Sequence, residues 1–360
     1  MSHLAESPRL IRVLVADDSA FMRTALTRMI ESDPALRVSD TAQNGNEALE
    51  KIRLTQPDVV TLDVEMPGLD GLETLRRIMQ ERPRPVIMVS SLTQEGAEIT
   101  LEALDIGAFD YVPKQLSYVS LDIVKIRDDL VAKIKAAAKV DRPAVKKPAQ
   151  AATKSTISLY NTFSVVSEIV AIGTSTGGPK ALQQILPLFP ADLGVGVLIV
   201  QHMPPGFTAP FARRLNNLCK ITVREATHGE PITAGVVYIA PAGQHMVVAR
   251  PGPSSAAIHL SDCPHDLLHK PSVDVMMASV AEVFRGLSMG IIMTGMGADG
   301  LLGMRAIANA GGLTVGQDEP SCVVYGMPRS CAESGVLKRV VPLNDIPAVI
   351  LQATRYRKRA

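Results

Sequence analysis

Short apolar runs recur along this chain, each followed by a longer segment whose apolar positions are spaced as on a helix, and that alternation constrains the fold more than any other feature. Leu10–Ala16, Val59–Leu62 and Val86–Val89 read as strands; Phe21–Ile30, Glu73–Gln80 and Ala97–Leu104 read as helices, with Ser19 as N-cap of the first. A strand that is apolar throughout has to be covered on both faces, and helices between successive strands supply the cover. The pattern predicts a doubly wound parallel sheet.

A chain of 360 residues is too long for one ordinary core and suits two domains. The alternation breaks after the first series. Leu121–Ala138 has the spacing of one amphipathic helix, with Leu121, Val124, Leu130, Val131 and Ile134 near one face, and Arg142–Thr156 is a Pro-, Ala-, Lys- and Thr-rich stretch without periodicity, as in an exposed linker. A second α/β series begins near Ser167, with strands at Ile169–Ile172, Val195–Val200 and Met289–Met293 and a helix at Pro179–Leu188. Val236–Ala240 and Met246–Ala249 look like the strands of a hairpin-like insertion, and the two halves show no convincing repeat of one another. The expected organisation is a first domain over residues 1–125, a helix and flexible linker over 126–165, and a second domain over 166–360.

Hydrophobic residues make up 46% of the chain but aromatics only 4%, so the cores must be aliphatic, and Met276, Met277 and Met289 are expected inside them. A net charge of +1 and the absence of a basic recognition helix argue against nucleic acid as a partner. The four cysteines, Cys219, Cys263, Cys322 and Cys331, form no C-x-x-C pair, which fits a reducing compartment. Met1–Arg12 lacks an apolar signal core and no apolar run reaches bilayer-spanning length, so a cytoplasmic protein is expected, without direct membrane insertion and touching membranes only through a partner.

Polar residues gather where the predicted strands end. Asp17 and Asp18 end the first strand, Asp63 the third and Ser90 the fourth, and Lys114 follows a fifth at Asp110–Val112. These are carboxyl ends of parallel strands, where open α/β sheets collect their ligands. Clustered carboxylates are costly without a cation, and Mg²⁺, which takes one or two carboxylates with waters and phosphate oxygens, suits the set. Asp63 is then placed to attack a phosphoryl donor, with Ser90 and Lys114 holding the phosphoryl oxygens. The alternative for Asp17 and Asp18 alone is capping of the first helix.

With VADDSAFMR, TLDVEMPGLDG, VSS and YVPK, the first domain resembles the response-regulator receiver domain. The resemblance implies a flavodoxin-like (βα)₅ fold and Asp63 as phosphoacceptor. It implies a metal site from Asp18, Asp63 and the backbone carbonyl of Glu65, supported by Asp17, with Ser90 as switch hydroxyl and Tyr111 as switch aromatic. One departure is that Pro113 precedes Lys114 and Gln115 follows it, where the family has Lys-Pro.

In the second domain, Gly173-Thr174-Ser175-Thr176-Gly177 follows a strand directly and fits G-x-S-x-G, a tight strand-to-helix turn that presents a serine. A phosphate-binding P-loop is excluded because Pro179 stands where its Lys should be. His202 follows the strand Val195–Val200, and Asp299 lies in a glycine-rich turn after Met289–Met293. Singly, Ser175 could belong to a plain strand–turn–helix, His202 could be structural and Asp299 a helix cap. Together they supply what serine needs to become a nucleophile, an imidazole to take its proton and a carboxylate to orient the imidazole. The chain order Ser, His, Asp differs from that of the α/β-hydrolases.

With GTSTGGPKAL, QHMPPGFT, FARRLN, YIAP, HKPSVDV, TGMGADG and SCVVYGMP, this half resembles the chemotaxis protein-glutamate methylesterase (CheB) family across nearly its whole length. The similarity implies Ser175 as nucleophile, His202 as base, Asp299 as its orienter and backbone N–H groups near Thr176 and Met296 as oxyanion donors, with no cofactor for the esterase. It implies methyl-accepting chemoreceptors as substrate, a chemotaxis histidine kinase as phosphodonor, hydrolysis of glutamate γ-methyl esters with release of methanol, deamidation of receptor glutamines, and activation through Asp63. A monomer is expected. The alternatives are a receiver coupled to an unrelated acyl hydrolase and a non-catalytic adaptor. At Thr174 the family has a smaller residue. Cys263, His265 and His269 have metal-ligand character but no regular second half-site, and His228, His245 and His259 read as structural or exposed.

Overall fold

A computed structural model describes residues 9–114, 122–139, 166–252 and 255–356. The chain divides into two compact units, Met1–Gln150 and Ala151–Ala360.

The first unit runs β1 (Ile11–Ala16), α1 (Ala20–Glu31), β2 (Leu36–Ala42), α2 (Gly45–Thr55), β3 (Val59–Asp63), α3 (Gly71–Glu81), β4 (Val86–Ser90), α4 (Gln94–Ile106), β5 (Asp110–Pro113) and α5 (Asp122–Ala137). Its five strands lie in the order β2-β1-β3-β4-β5, all pairs parallel. Every residue of β3 and β4 is buried, as continuous apolar strands covered on both faces require. Side-chain caps start the helices: Ser19 Oγ accepts from Met22 N–H, Asn44 Oδ1 from Glu47 N–H, Asp70 Oδ1 from Glu73 N–H and Thr93 Oγ1 from Gly96 N–H. Each such cap contributes about 1 kcal/mol.

The boundary expected at residue 125 falls inside α5. Leu130, Ile134 and Ala137 of that helix are fully buried against Val13, Ile30 and Val89, so the core of this unit extends through Ala137. Val124, placed on the same face by the spacing, is instead exposed. The expected linker Arg142–Thr156 lies outside the described residues.

The second unit runs β6 (Ile169–Thr174), α6 (Gly178–Ile185), β7 (Gly196–Gln201), α7 (Thr208–Leu218), β8 (Thr222–Glu225), β9 (Val236–Ile239), β10 (His245–Gly252), β11 (Ser255–Ser261), α8 (Val273–Phe284), β12 (Ser288–Ile292), α9 (Leu301–Asn309), β13 (Leu313–Gln317), α10 (Met327–Glu333), β14 (Arg339–Val341) and α11 (Ile346–Ala353). Seven strands form a parallel sheet in the order β14-β13-β12-β6-β7-β9-β8, and Met276, Met277 and Met289 are fully buried.

The hairpin expected from Val236–Ala240 and Met246–Ala249 does not form. Val237, Tyr238 and Ile239 are fully buried and β9 pairs in parallel with β7 in the main sheet; β10 pairs instead with β11, antiparallel. The chain builds outward from β6 toward β7, β9 and β8, then returns to the other side of β6 for β12, β13 and β14. Connections therefore leave in opposite directions around β6, and it is at such a switch point, beyond the carboxyl ends of the strands, that open α/β sheets bind their ligands.

Candidate functional site

In the first unit the strand ends bring Asp17, Asp18, Asp63 and Lys114 together. One carboxylate oxygen from each of the three aspartates lies within 4.8 Å of the others. Asp63 is fully buried; its Oδ1 accepts the Glu65 N–H at 3.0 Å and its Oδ2 pairs with Lys114 Nζ. Burial pushes the Asp63 carboxyl up to about 6; Lys114 opposes this and the charge of Asp17 adds to it. Asp17 is also raised, first by burial. Its Oδ2 is buried 3.5 Å from Lys114 Nζ and accepts no hydrogen bond among the described residues. Three carboxylates facing one ammonium, with a buried oxygen left over, form an all-oxygen donor set that fits a divalent cation such as Mg²⁺.

Asp17 and Asp18 do not act as the side-chain cap of α1, since Ser19 does; their backbone carbonyls both accept from the Arg23 guanidinium, at 2.8 and 2.9 Å. Ser90 is buried at the end of β4, its Oγ 3.2 Å from the carbonyls of Ser91 and Gly96. Tyr111 is buried on β5 with Lys133 Nζ 5.4 Å from its ring centroid, and Lys133 also donates to the Tyr111 carbonyl at 2.7 Å. Glu65 is exposed, and its Oε1 accepts from Ser91 Oγ at 3.2 Å.

In the second unit the serine turn is fastened to the end of β12. The Thr294 carbonyl accepts both the Ser175 N–H at 3.0 Å and the Thr174 hydroxyl at 2.8 Å, and Thr294 Oγ1 donates to the Thr176 carbonyl at 2.9 Å. The larger residue at position 174 thus adds a tie. The turn closes through Gly177 at φ +77°, a left-handed conformation, and a side chain there would collide with Val323. α6 then starts at Gly178 with Pro179 in its first turn.

His202 follows β7, and its N–H donates to the Thr174 carbonyl at 3.2 Å. Gln201, itself buried, donates from Nε2 to the carbonyls of Ser175 and His202, both at 3.0 Å, and so clamps the serine turn and the His202 loop together. His202 Nε2 lies 2.8 Å from Asp299 Oδ2. Its Nδ1 is buried and without a hydrogen-bond partner among the described residues. A ring whose Nε2–H is held by a carboxylate keeps its lone pair on Nδ1, so Nδ1 is the basic atom here.

Asp299 has all its acceptor capacity occupied. Oδ1 accepts from Ser272 Oγ at 2.8 Å and Asp274 N–H at 3.1 Å; Oδ2 accepts from Val273 N–H at 2.8 Å besides His202. Burial alone would raise its pKa, but His202 and the N–H groups of Val273 and Asp274 outweigh burial and hold the carboxyl well below the usual carboxylate range. These donors are the first turn of α8, where the helix dipole also favours an anion. The arrangement is reciprocal: Asp274 Oδ1 accepts from Gly300 and Gly303 N–H, both at 2.8 Å, and caps α9, the helix that follows Asp299.

The Ser175 N–H is spent on Thr294, whereas the N–H groups of Thr176 and Met296 meet no acceptor among the described residues. The structure thus joins His202 to Asp299 and ties the Ser175 turn to Thr294 and, through Gln201, to the His202 loop, while no hydrogen bond links Ser175 to His202 Nδ1 among the described residues. Sequence reasoning missed Gln201, Ser272, Asp274 and Thr294, and it read His269 only for metal-ligand character, whereas that ring stacks on His202 with centroids 3.9 Å apart. Their signal was available: His269, Ser272 and Asp274 all lie in HKPSVDV. Cys263 and His265 do approach each other, Sγ to Nε2 at 3.3 Å, but among the described residues they join no cluster of three potential metal ligands. His228 and His259 are exposed, while His245 is buried.

Comparison with known proteins agrees with the fold, a receiver-like unit followed by a second parallel α/β unit. The family described as response regulator receiver domain matches residues 13–123, and that described as CheB methylesterase matches residues 170–350. The protein-glutamate methylesterase/protein-glutamine glutaminase 1 of Oleidesulfovibrio alaskensis is 47% identical over 367 residues, covering 96% of this chain and 99% of the relative. That of Symbiobacterium thermophilum is 48% identical over 366 residues, covering 98% and 99%. The crystal structure of the Thermotoga maritima CheB methylesterase catalytic domain matches with TM-score 0.51 and 37% identity, over 52% of this chain and 99% of that one. With identity of this order along nearly its whole length, the chain belongs to the protein-glutamate methylesterase/protein-glutamine glutaminase family, a response regulator receiver domain followed by a CheB methylesterase domain.

Proposed function

We propose that this chain hydrolyses glutamate γ-methyl esters on the cytoplasmic helices of methyl-accepting chemoreceptors, deamidates receptor glutamines at the same site, and is activated by phosphorylation of Asp63 by a chemotaxis histidine kinase. Ser175 Oγ attacks the γ-carbonyl carbon and its proton passes to His202 Nδ1, while Asp299 stabilises the resulting imidazolium. The tetrahedral oxyanion is received by the N–H groups of Thr176 and Met296. Its collapse returns the proton from His202 to the leaving oxygen, so methanol departs and Ser175 holds a glutamyl ester. Water, deprotonated by Nδ1, then attacks that ester and frees glutamate. A glutamine enters the same sequence with ammonia leaving.

The observation that carries this reading is the state of His202: Nε2 is held by a saturated, ionised Asp299, Nδ1 is buried with no hydrogen-bond partner among the described residues, and Gln201 ties the His202 loop to the Ser175 turn. In the receiver, Asp18, Asp63 and the Glu65 carbonyl, with Asp17, would hold Mg²⁺, which supplies charge neutralisation for phosphoryl transfer to the Asp63 carboxylate. Ser90 and Lys114 then bind the phosphoryl oxygens, and that rearrangement is read out at the Tyr111 face.

The test is methanol release from methylated receptor membranes. Ser175→Ala should lower turnover on the order of 10⁴–10⁶-fold while the protein stays folded. A folded variant that keeps more than about a tenth of the activity refutes Ser175 as nucleophile.

A further inference from the structure

Two supports of the esterase site are carried by one stretch of chain after β11. The first turn of α8 holds Asp299, and His269 stacks on His202. A single side chain from elsewhere, His245 at the start of β10, is bonded to this stretch at two points. It is fully buried; its Nδ1 accepts the Ser272 N–H at 3.2 Å, and its Nε2 lies 3.0 Å from the Pro264 carbonyl. A carbonyl can only accept and an N–H can only donate, so Nε2 carries the proton and Nδ1 the lone pair. Burial lowers the pKa of this imidazole and Lys270 lowers it further, while the Pro264 carbonyl, Asp299 and Asp262 oppose, with the net shift downward. The ring is therefore held neutral in the one tautomer that satisfies both partners. A parallel tie, Gly243 N–H to the Lys270 carbonyl at 3.1 Å, fixes the same two segments together.

The consequence lies in what Ser272 does. Its hydroxyl donates to Asp299 Oδ1 and it opens α8, whose next two N–H groups also bind Asp299. Ser272 is itself buried, so without His245 its N–H would have no acceptor and the turn that orients the carboxylate would be free to shift. On the other side, Pro264 begins the loop that delivers His269 to the His202 ring.

We propose that His245 is a positioning residue of the esterase, which sets Asp299 through Ser272 and the His269 loop through Pro264, without touching substrate. The proposal rests on the reading of Ser175, His202 and Asp299 given above. A residue that merely fills the core would not distinguish between its two nitrogens, and two amide substitutions separate them. His245→Gln places an N–H donor near the Nε2 position and leaves the Ser272 N–H unmet; His245→Asn places an acceptor near the Nδ1 position and leaves the Pro264 carbonyl unmet.

The experiment compares the wild type with both variants as full-length protein with phosphodonor, measuring kcat and KM for demethylation of methylated receptor membranes and the ¹H resonance of the His202 Nε2–H bonded to Asp299. H245Q should lose kcat on the order of 10²-fold with KM nearly unchanged, and its His202 resonance should move. H245N should keep kcat within about tenfold and leave that resonance in place. The proposal is overturned if H245Q keeps wild-type kcat, if its His202 resonance does not move, or if folded H245N loses as much kcat as H245Q. Should H245Q fail to fold, H245N decides alone: a folded H245N that loses more than about tenfold in kcat, or whose His202 resonance moves, overturns the proposal. The resonance is read without turnover and Ser175→Ala is assayed alongside, so an active S175A would sink the nucleophile assignment whatever the His245 variants do.

Discussion

Replacing Asp299 by Asn changes one atom and removes one charge, and the geometry says how much that costs. The four groups around the carboxylate are Ser272 Oγ and Asp274 N–H on Oδ1, and His202 Nε2 and Val273 N–H on Oδ2. An asparagine offers one acceptor oxygen and one NH₂. With the oxygen toward His202, its NH₂ faces the Asp274 N–H, donor against donor, and the imidazolium loses its counter-charge. At 2.8 Å and an effective dielectric of 20 that attraction is about 6 kcal/mol before the surroundings relax. With the oxygen toward Asp274, the NH₂ faces Val273 N–H and donates to Nε2, which moves the ring proton to Nδ1 and abolishes the base. Either way kcat should fall on the order of 10³–10⁴-fold, or about 4–5.5 kcal/mol of barrier.

Stability gives a second, independent reading of the same carboxylate. Asp299 is held below its unfolded pKa, so it stabilises the fold above that value, and the contribution fades as pH falls through the unfolded pKa toward the folded one. Wild type should therefore exceed Asp299→Asn in urea midpoint at pH 7, with the gap constant down to about pH 5 and narrowing below about pH 4. Demethylation rates and urea melts measure both. A folded variant that retains more than about a tenth of wild-type kcat, or a stability gap that widens in acid, refutes the reasoning.

Gly295→Ala should cost activity, because a Cβ there would press on the buried Met327 Sδ and stand 2.9 Å from Ser175 Cβ and 3.0 Å from Ser175 N. Demethylation should drop on the order of 10²-fold, whereas Gly194→Ala, where a Cβ meets nothing within 4 Å, should stay at wild-type rate. With Mg²⁺ and a small phosphodonor the protein should gain an acid-stable, base-labile acyl phosphate, and Asp63→Asn should remove it; label that persists in the variant moves the acceptor elsewhere. A fragment starting near Thr156 should demethylate faster than the unphosphorylated full-length protein and ignore phosphodonor, with a ratio of about 5–150. A slower fragment would make the receiver an activator rather than an inhibitor.

How much of this could be read in the sequence depended on the range of the interaction concerned. Strands β3, β4, β6, β7 and β12 are largely apolar and buried at every residue, and burial of that kind writes itself locally. The hairpin was misassigned because β9, although short, is a central strand that belongs by pairing to β7, while β11, half of the true hairpin, is rich in Ser and Ala. No local period distinguishes those partners. The part that α5 plays was hidden for a similar reason: the helix, which the expected boundary at residue 125 crosses, has an ordinary amphipathic pattern, and nothing in it tells that Leu130, Ile134 and Ala137 pack against the first sheet.

The sites divide in the same way. Residues at strand ends were legible because a parallel sheet converges them whatever the loops do, which is why Asp17, Asp63 and Lys114, or Ser175, His202 and Asp299, could be grouped from positions alone. The supports were not legible, because each acts through a backbone atom of a distant segment. Thr294 holds the serine turn through its carbonyl, Gln201 joins two carbonyls, and the α8 N–H groups hold Asp299. Side-chain chemistry is written in the sequence; backbone donors and acceptors are the same at every position and acquire meaning only when the fold aims them. His202 shows the difference most directly. Its residue type suggested a base, but that Asp299 takes Nε2 and leaves Nδ1 without a partner among the described residues is visible only once the fold is known.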